Sequence, residues 1–163
     1  MKRDAIYPGT FDPVTNGHLD IIERSSRLFG RVIVAILVNP QKETLFSLEE
    51  RRRLLERSIP DGVTNVEVAV FRGLLVEFAR QRSAGIIIRG IRAVSDYEYE
   101  LQMALMNRRL EPEIETLFML PAENYSYLSS RLVRELAENG GSVAGLVPDL
   151  VREALEKKYG RTV

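Results

Sequence analysis

The chain contains no cysteine, and it has a single histidine among its 163 residues. Without cysteine it forms no disulfide bond and offers no thiolate nucleophile. One histidine and no cysteine also disfavour a zinc site, because these two side chains supply most zinc ligands. We therefore predict no zinc site, and no side chain is assigned as a metal ligand.

The chain also lacks a net charge, since Lys and Arg number 23 and Asp and Glu also number 23. No overall field draws it towards nucleic acid or an anionic membrane, so we expect neither as a partner. An anionic ligand would have to be held by locally placed cations. No apolar run approaches the roughly 20 residues that span a bilayer. The first residues run straight into a predicted strand without the pattern of a signal peptide. We expect a cytoplasmic protein.

What is present is the composition of one soluble globular domain, with 45% hydrophobic and 28% charged residues. We predict a single domain over residues 1–163. Short apolar segments alternate with helical patterns along it. Strands are predicted at 5–7, 32–38, 66–70, 86–88 and 116–120, and helices at 17–29, 47–58, 74–82, 96–110, 130–138 and 148–158. Strands alternating with helices indicate an α/β fold, which we predict to be Rossmann-like, with a five-stranded parallel sheet in the order 3-2-1-4-5 and helices on both faces.

Two helix starts carry a capping-box pattern, Ser47 with Glu50 and Ser95 with Glu98. The cluster of arginines at 51–53 is predicted to lie on a solvated helix face, because glutamates interleave with it. The helix at 96–110 has more Leu and Met than one face can bury. It is predicted to be either deeply buried or part of a subunit interface.

The segment at 7–18 forms a loop between the first strand and the first helix, and it ends at the lone histidine, His18. A helix N-terminus at the carboxyl edge of a parallel sheet is suited to binding phosphate. Gly17 allows the backbone to approach a ligand closely, and Thr10 and Thr15 offer hydroxyl groups. In the predicted strand order this loop faces the arginines at 89–92. The sequence therefore predicts an anion pocket at the switch point of the sheet.

Several of these residues also have simpler interpretations. Arg89 and Arg92 could do no more than pair with Asp96 or Glu100 at a helix start. Lys42 lies in a polar loop where a lysine is ordinarily exposed to solvent. The hydroxyl groups at 129–130 could cap a helix instead of binding phosphate, or do both.

Two motifs carry a family resemblance. T-N-G-H at 15–18 resembles the T/H-x-G-H motif of the nucleotidylyltransferase superfamily, and L-S-S-R-L-V-R at 128–134 resembles its second motif, I-S-S-T-x-x-R. The segments Y-P-G-T-F-D-P at 7–13, N-P-Q-K at 39–42, R-G-I-R-A at 89–93 and D-Y-E-Y-E at 96–100 narrow this likeness. Over essentially its whole length the chain resembles the pantetheine-phosphate adenylyltransferase family.

This resemblance implies transfer of AMP from ATP to 4′-phosphopantetheine in bacterial coenzyme A synthesis, with Mg²⁺ as cofactor and a homohexameric assembly. It implies a phosphopantetheine site made by Thr10, Lys42, Leu75 and Arg89. It implies an ATP site made by Thr10, Phe11, His18, Gly90, Ile91, Arg92, Glu100, Tyr125, Ser126, Tyr127, Leu128, Ser129, Ser130 and Arg131. Arg131 departs from the family pattern, which usually has Ser or Thr there, so a hydroxyl is lost and a cation gained.

The chemistry of that reaction agrees with these residue types. A phosphate monoester has a second pKa of about 6, so the nucleophile is already ionised and needs no general base. The protein has to position two anions and stabilise charge at the α-phosphorus, for which we predict His18, Lys42, Arg92 and Thr10 as the catalytic residues. Two alternatives remain at this point: a nucleotidylyltransferase acting on another phosphate acceptor, and a module that senses ATP without turnover.

Overall fold

The computed structural model describes residues 3–163, in which strands and helices alternate. The strands are β1 (Ala5–Gly9), β2 (Val32–Leu37), β3 (Val66–Phe71), β4 (Ile86–Gly90) and β5 (Glu115–Met119). The α-helices are α1 (Asn16–Leu28), α2 (Leu48–Ser58), α3 (Leu75–Gln81), α4 (Val94–Leu110), α5 (Ser130–Glu138) and α6 (Asp149–Tyr159). A short 3₁₀ turn at Glu123–Tyr125, which the sequence did not predict, precedes α5.

The strands form one parallel sheet in the order β3-β2-β1-β4-β5, which confirms the predicted topology. β1 lies at the centre, between β2 and β4. The strand order reverses between β1 and β4, so their carboxyl ends open a crevice between the loops that follow them. β1 and β4 each run two residues further than predicted, to Gly9 and Gly90. Arg89 therefore lies within β4 and not in the loop after it.

Alternate residues of the central strands enter two hydrophobic cores, one on each face of the sheet. Ala5 and Tyr7 point to the larger core, which also contains buried residues of α1, α2, α5 and α6. Ile6 points to the smaller core, where Val76 and Ala79 of α3 pack. This two-sided burial explains why the strands read as nearly continuous apolar runs, and it confirms helices on both faces.

Side-chain caps fix where three of the helices begin. Thr15 caps α1, Ser47 caps α2 with Glu50 in the predicted capping box, and Ser129 caps α5. The predicted capping box of Ser95 is wrong, because α4 begins at Val94 and has no side-chain cap. The Asp96 carboxylate instead accepts the backbone N–H of Arg92 at 3.2 Å, which satisfies a donor just before the helix.

Helix α4 is largely exposed, and only Glu100 and Asn107 are buried along it. The prediction of deep burial is therefore wrong for this chain on its own. Apolar side chains of α4 and of the edge strand β5 lie open together: Val94, Tyr97, Tyr99, Met103, Leu105, Met106, Leu110, Leu117 and Phe118. Within residues 3–163, no helix combines the length and the apolar character needed to cross a membrane.

Candidate active site

A cavity of about 300 Å³ opens at the carboxyl ends of β1 and β4. Its walls come from the loop after β1, the start of α1, the end of β4 and the segment that leads into α5. Thirteen of the predicted site residues line it: Thr10, Phe11, His18, Lys42, Arg89, Gly90, Arg92, Glu100, Tyr125, Leu128, Ser129, Ser130 and Arg131. Leu75, Ile91, Ser126 and Tyr127 do not line it. The first of these lies at the start of α3, where it packs against the smaller core.

His18 occupies the third position of α1, and its ring is held by the cap of that helix. The backbone N–H of Thr15 donates to Nδ1 of His18 at 3.0 Å, so Nδ1 acts as an acceptor. The proton of the neutral ring is therefore assigned to Nε2, which leaves an N–H donor for a ligand. Burial, with a smaller contribution from the charge of Arg92, lowers the pKa of His18 to about 4. The ring is neutral at pH 7.

The turn between β1 and α1 contains a strained residue. Phe11 has φ of 50°, in the left-handed region that bulky side chains rarely adopt. Such a conformation costs on the order of 1–3 kcal/mol and persists only where the surroundings enforce it. The Phe11 ring is buried and lies edge-on to the His18 ring, with centroids 5.0 Å apart. The strained turn therefore supports the wall of the cavity beside His18.

Asp12 anchors the same turn through its buried side chain. Its carboxylate is 97% buried and accepts the backbone N–H groups of Leu45 and Phe46, each at 2.9 Å. Arg134 of α5 donates to the Asp12 carbonyl oxygen, and its Nη1 lies 3.4 Å from the carboxylate. Three separate parts of the chain are thereby joined under the cavity.

Arg89 is committed to a buried carboxylate. Its Nε and Nη2 each donate at 2.7 Å to one oxygen of Glu100, and its Nη1 donates to the carbonyl of Pro8 at 3.2 Å. Glu100 is only 8% exposed. The simpler interpretation, a pair between Arg89 and Glu100, is therefore observed, but it lies inside the cavity and not on the surface. Glu100 fixes the orientation of the guanidinium group.

Arg92 is also paired, though more loosely. Its guanidinium group donates to Asp96 at 3.1 Å, and its Nη1 donates to the carbonyl of Leu128 at 3.0 Å. Burial favours the protonated form of Asp96, but the hydrogen bonds from Arg92 outweigh it and lower the pKa of this carboxyl group. Arg92 thus links the start of α4 to the segment that carries Ser129 and Ser130.

The remaining cations reach the cavity from its rim. Lys42 is exposed, as the simpler interpretation predicted, yet its Nζ lies 3.4 Å from the hydroxyl of Thr10. The Arg131 side chain is 82% exposed and pairs with Glu135 of the next helical turn. Ser129 caps α5, and the Ser130 hydroxyl donates to the carbonyl of Pro13 at 2.7 Å. Both serines therefore make structural contacts, and both also line the cavity at the N-terminus of α5.

Gly90 packs closely against its neighbours at the end of β4. A Cβ atom there would lie 2.9 Å from Cδ1 of Ile21 and 3.8 Å from the hydroxyl of Tyr7. Tyr7 is buried, and this burial raises the pKa of its hydroxyl well above the usual range. The phenol therefore stays neutral and offers an O–H group, not a negative charge, to the cavity.

The site as a whole favours an anion. Lys42, Arg89, Arg92, Arg131 and Arg134 line it, together with the N–H groups at the starts of α1 and α5. Its carboxylates at Asp12, Asp96 and Glu100 are each bound to an arginine. Throughout residues 3–163, no group of three or more His, Asp or Glu side chains is placed to hold a metal ion.

Sequence reasoning missed two residues under the cavity. The prediction that Arg51 lies on a solvated helix face is wrong, because this residue is only 5% exposed and donates to the Thr10 carbonyl at 2.8 Å. The i, i+3 and i, i+4 spacing of Arg51 to Leu54 and Leu55, the buried residues of α2, was the available signal. The anchoring of the turn by Asp12 had no signal in the sequence, because its partners are 33 and 34 residues away.

Comparison with known proteins identifies the relatives of this chain. Residues 6–136 match the Cytidylyltransferase-like family. A phosphopantetheine adenylyltransferase from Clostridium tetani is 56% identical over 154 residues, which cover 94% of this chain and 96% of that protein. A phosphopantetheine adenylyltransferase from Caldanaerobacter subterraneus is 52% identical over 160 residues, covering 98% of this chain and 99% of that protein.

The fold also matches a solved structure from Vibrio parahaemolyticus, named provisionally as a nicotinate-nucleotide adenylyltransferase. The two superpose with a TM-score of 0.68 at 18% identity, over 100% of this chain and 98% of the other. At this identity the likeness establishes a shared fold alone.

Proposed function

The chain belongs to the Cytidylyltransferase-like family and, within it, to the phosphopantetheine adenylyltransferases, and from this premise we propose that it transfers AMP from ATP to 4′-phosphopantetheine. The products are dephospho-coenzyme A and pyrophosphate. The observation that carries the proposal is the convergence of cations, two helix N-termini and the free Nε2–H of His18 on one cavity at the switch point of the sheet.

The reaction is a direct displacement. A phosphate oxygen of 4′-phosphopantetheine attacks the α-phosphorus of ATP, a new P–O bond forms, and the bond to the β-phosphate oxygen breaks. Pyrophosphate leaves with that electron pair. The attacking phosphate is ionised near neutral pH, so no protein group has to remove a proton. The work of the site is to hold two anions together and to stabilise charge that grows at the α-phosphate.

His18 is assigned the role of donor to the α-phosphate. Its Nδ1 is occupied by the Thr15 backbone, so only Nε2–H faces the ligand side. A neutral ring with a pKa of about 4 does not act as a base towards a phosphate dianion, but it donates a hydrogen bond as charge accumulates. The helix cap fixes the ring before the substrates arrive, so little reorganisation is needed during the reaction.

We assign the acceptor side to Thr10, Lys42 and Arg89 and the ATP side to Phe11, Arg92 and the start of α5. Lys42 and Thr10 already lie within 3.4 Å of each other at the rim. Glu100 orients Arg89 and would therefore act on the acceptor phosphate only indirectly, through that guanidinium group. Arg92 can exchange its contacts with Asp96 for triphosphate oxygens, because this pair is partly exposed.

A divalent cation agrees with this donor set, and we propose Mg²⁺. The carboxylates of the cavity are bound to arginines, which leaves no protein cage for a metal among residues 3–163. Mg²⁺ retains several waters and is commonly held through substrate phosphates with few protein ligands. When bound in this way it would neutralise phosphate charge beside Lys42 and Arg92.

We further propose that the protein is a cytoplasmic homo-oligomer, a hexamer by the family resemblance. Apolar side chains of α4 and of the neighbouring strand β5 are exposed, and the rings of Tyr97 and Phe118 lie 6.3 Å apart between these two elements. Large exposed apolar patches on soluble proteins mark sites of association. Burial against further copies of the chain explains why α4 is apolar on more than one side.

An initial-rate assay of pyrophosphate release tests the proposed activity. With ATP and Mg²⁺ held constant, 4′-phosphopantetheine should support turnover, and nicotinamide mononucleotide should not. CTP should not replace ATP. Turnover with another acceptor in place of 4′-phosphopantetheine would make the chain a different nucleotidylyltransferase. Binding of ATP without any turnover would make it a nucleotide-sensing module.

A further inference from the structure

Arg51 of α2 is a buried arginine whose hydrogen bonding is incomplete. Its side chain is 5% exposed, whereas its neighbours Arg52 and Arg53 lie on the surface. Its Nη1 donates to the backbone carbonyl of Thr10 at 2.8 Å. Its Nε is fully buried and meets no acceptor in the described part of the chain. Burial lowers the pKa of Arg51, and the charge of Asp12 only partly offsets this.

A buried guanidinium group with an unpaired N–H contributes little to the stability of a fold. A buried charge loses its hydration, and an apolar side chain of similar volume is often at least as stabilising at the same place. A buried N–H group without an acceptor adds a further cost. The burial of Arg51 is therefore better explained by what its Nη1 holds than by the stability it contributes.

What Arg51 holds is one end of the strained turn. The carbonyl before Phe11 is bound by Arg51, and the carbonyl after it, that of Asp12, is bound by Arg134. These two contacts flank the residue with φ of 50°. The turn also carries the Thr10 hydroxyl, which faces Lys42, and the Phe11 ring, which packs on His18. A shift of the Thr10 carbonyl would therefore displace groups on both sides of the cavity.

We propose that Arg51 is a positioning residue for AMP transfer. It holds the Thr10 carbonyl so that Phe11 stays in its left-handed conformation and the Thr10 hydroxyl stays beside Lys42. The proposal rests on the proposed function for its kinetic consequence, but the hold of Arg51 on the turn is a property of the free protein. Arg51 does not contact the reacting atoms in this arrangement, since it acts through the backbone of Thr10.

The test compares Arg51→Met, Arg51→Lys and the control Arg53→Met, which lies in the same helix and is exposed. Arg51→Met should unfold within a few degrees of wild type or above it, because it removes a desolvated charge. Its kcat should fall on the order of 10- to 100-fold, with smaller changes in either KM, because misplaced groups chiefly affect alignment. Arg51→Lys should recover part of the loss through an N–H donor to Thr10. Arg53→Met should match wild type.

Hydrogen–deuterium exchange of the unliganded proteins supplies a readout that does not depend on turnover. Peptides covering residues 9–13 should exchange faster in Arg51→Met than in wild type, and peptides from β2 and α6 should not change. Wild-type kcat and unchanged exchange at 9–13 in Arg51→Met would overturn the proposal. So would a loss of activity that tracks a large fall in unfolding temperature in both Arg51 variants. A wild-type protein without phosphopantetheine turnover would refute the proposed function instead, while the exchange data would still decide the role of Arg51.

Discussion

His18 makes one contact through Nδ1, which accepts a hydrogen bond in the helix cap, and a second contact through Nε2 is proposed to the α-phosphate. His18→Ala removes both. Loss of a donor that acts in the transition state lowers kcat on the order of 10³-fold, which corresponds to about 4 kcal/mol of activation free energy. Separately, loss of the hydrogen bond from the Thr15 backbone N–H should lower the free energy of unfolding by about 1 kcal/mol. Binding of ATP should stay within about tenfold of wild type, because the lost contact is made chiefly in the transition state.

Two further variants divide these effects. Gln or Glu at the third helical position completes a capping box with Thr15, so His18→Gln and His18→Glu should both regain the lost stability. Only Gln retains N–H groups that can reach the phosphate. We therefore expect His18→Gln to be more active than His18→Ala, and His18→Glu to be no more active than His18→Ala.

The assay is a single-turnover measurement at saturating ATP and 4′-phosphopantetheine, with ATP dissociation constants from calorimetry and stability from urea unfolding. Two results would refute the reasoning. If His18→Ala bound ATP far more weakly and turned over normally at saturation, His18 would be a ground-state contact. If His18→Glu matched His18→Gln in rate, donation from the side chain would not be the origin of the effect.

Three other perturbations test separate parts of the account. Lys42→Ala and Arg92→Ala should each lower kcat/KM on the order of 10²-fold or more, with unchanged circular dichroism. Lys42→Ala should weaken the binding of phosphopantetheine, and Arg92→Ala the binding of ATP. Near-normal turnover in both variants would show that these cations only form surface pairs. Met103→Glu or Met106→Glu should sediment as smaller species than the wild-type protein. A monomeric wild-type protein would contradict the proposed oligomer interface on α4. The pKa of His18 is about 4 in the fold and 6.5 when unfolded, so its contribution to the free energy of unfolding should be complete above pH 6.5 and lost as the pH falls towards 4. His18→Gln should lack this pH-dependent contribution. The same dependence of the unfolding free energy on pH in both proteins, measured by urea unfolding, would exclude it.

The fold could be predicted because its signals are local. The central strands β1, β2 and β4 begin as short apolar runs, and the parallel orientation of the strands follows from the crossover helices between them. The start of α4 could not be predicted in this way, because Ser95 and Glu98 fit a capping box, while the Asp96 carboxylate satisfies the Arg92 N–H from within the helix. The predicted and observed starts of α4 differ by two residues, Asp96 against Val94.

The site was predictable where a motif marks it and not where a partner lies far along the chain. His18 and Arg92 could be placed from spacing and strand ends. The charge state of His18 depends on its burial and its tautomer on the contact with Thr15, and neither can be read from the sequence. The sequence predicts the pairing of Arg89 with Glu100 only as an alternative to a contact with phosphate. Arg51 looked like part of a charged surface because three arginines in a row conceal which of them faces inward.

A single-turnover reaction with ATP labelled at the α-phosphate shows whether AMP passes straight from ATP to the phosphate of 4′-phosphopantetheine. The enzyme is held in excess over ATP, and the quenched mixture is separated into protein, nucleotide and acceptor fractions. We expect label only in dephospho-coenzyme A, which should form in the same amount as pyrophosphate and at the same rate. Label retained on the protein, or pyrophosphate released without 4′-phosphopantetheine, would contradict it.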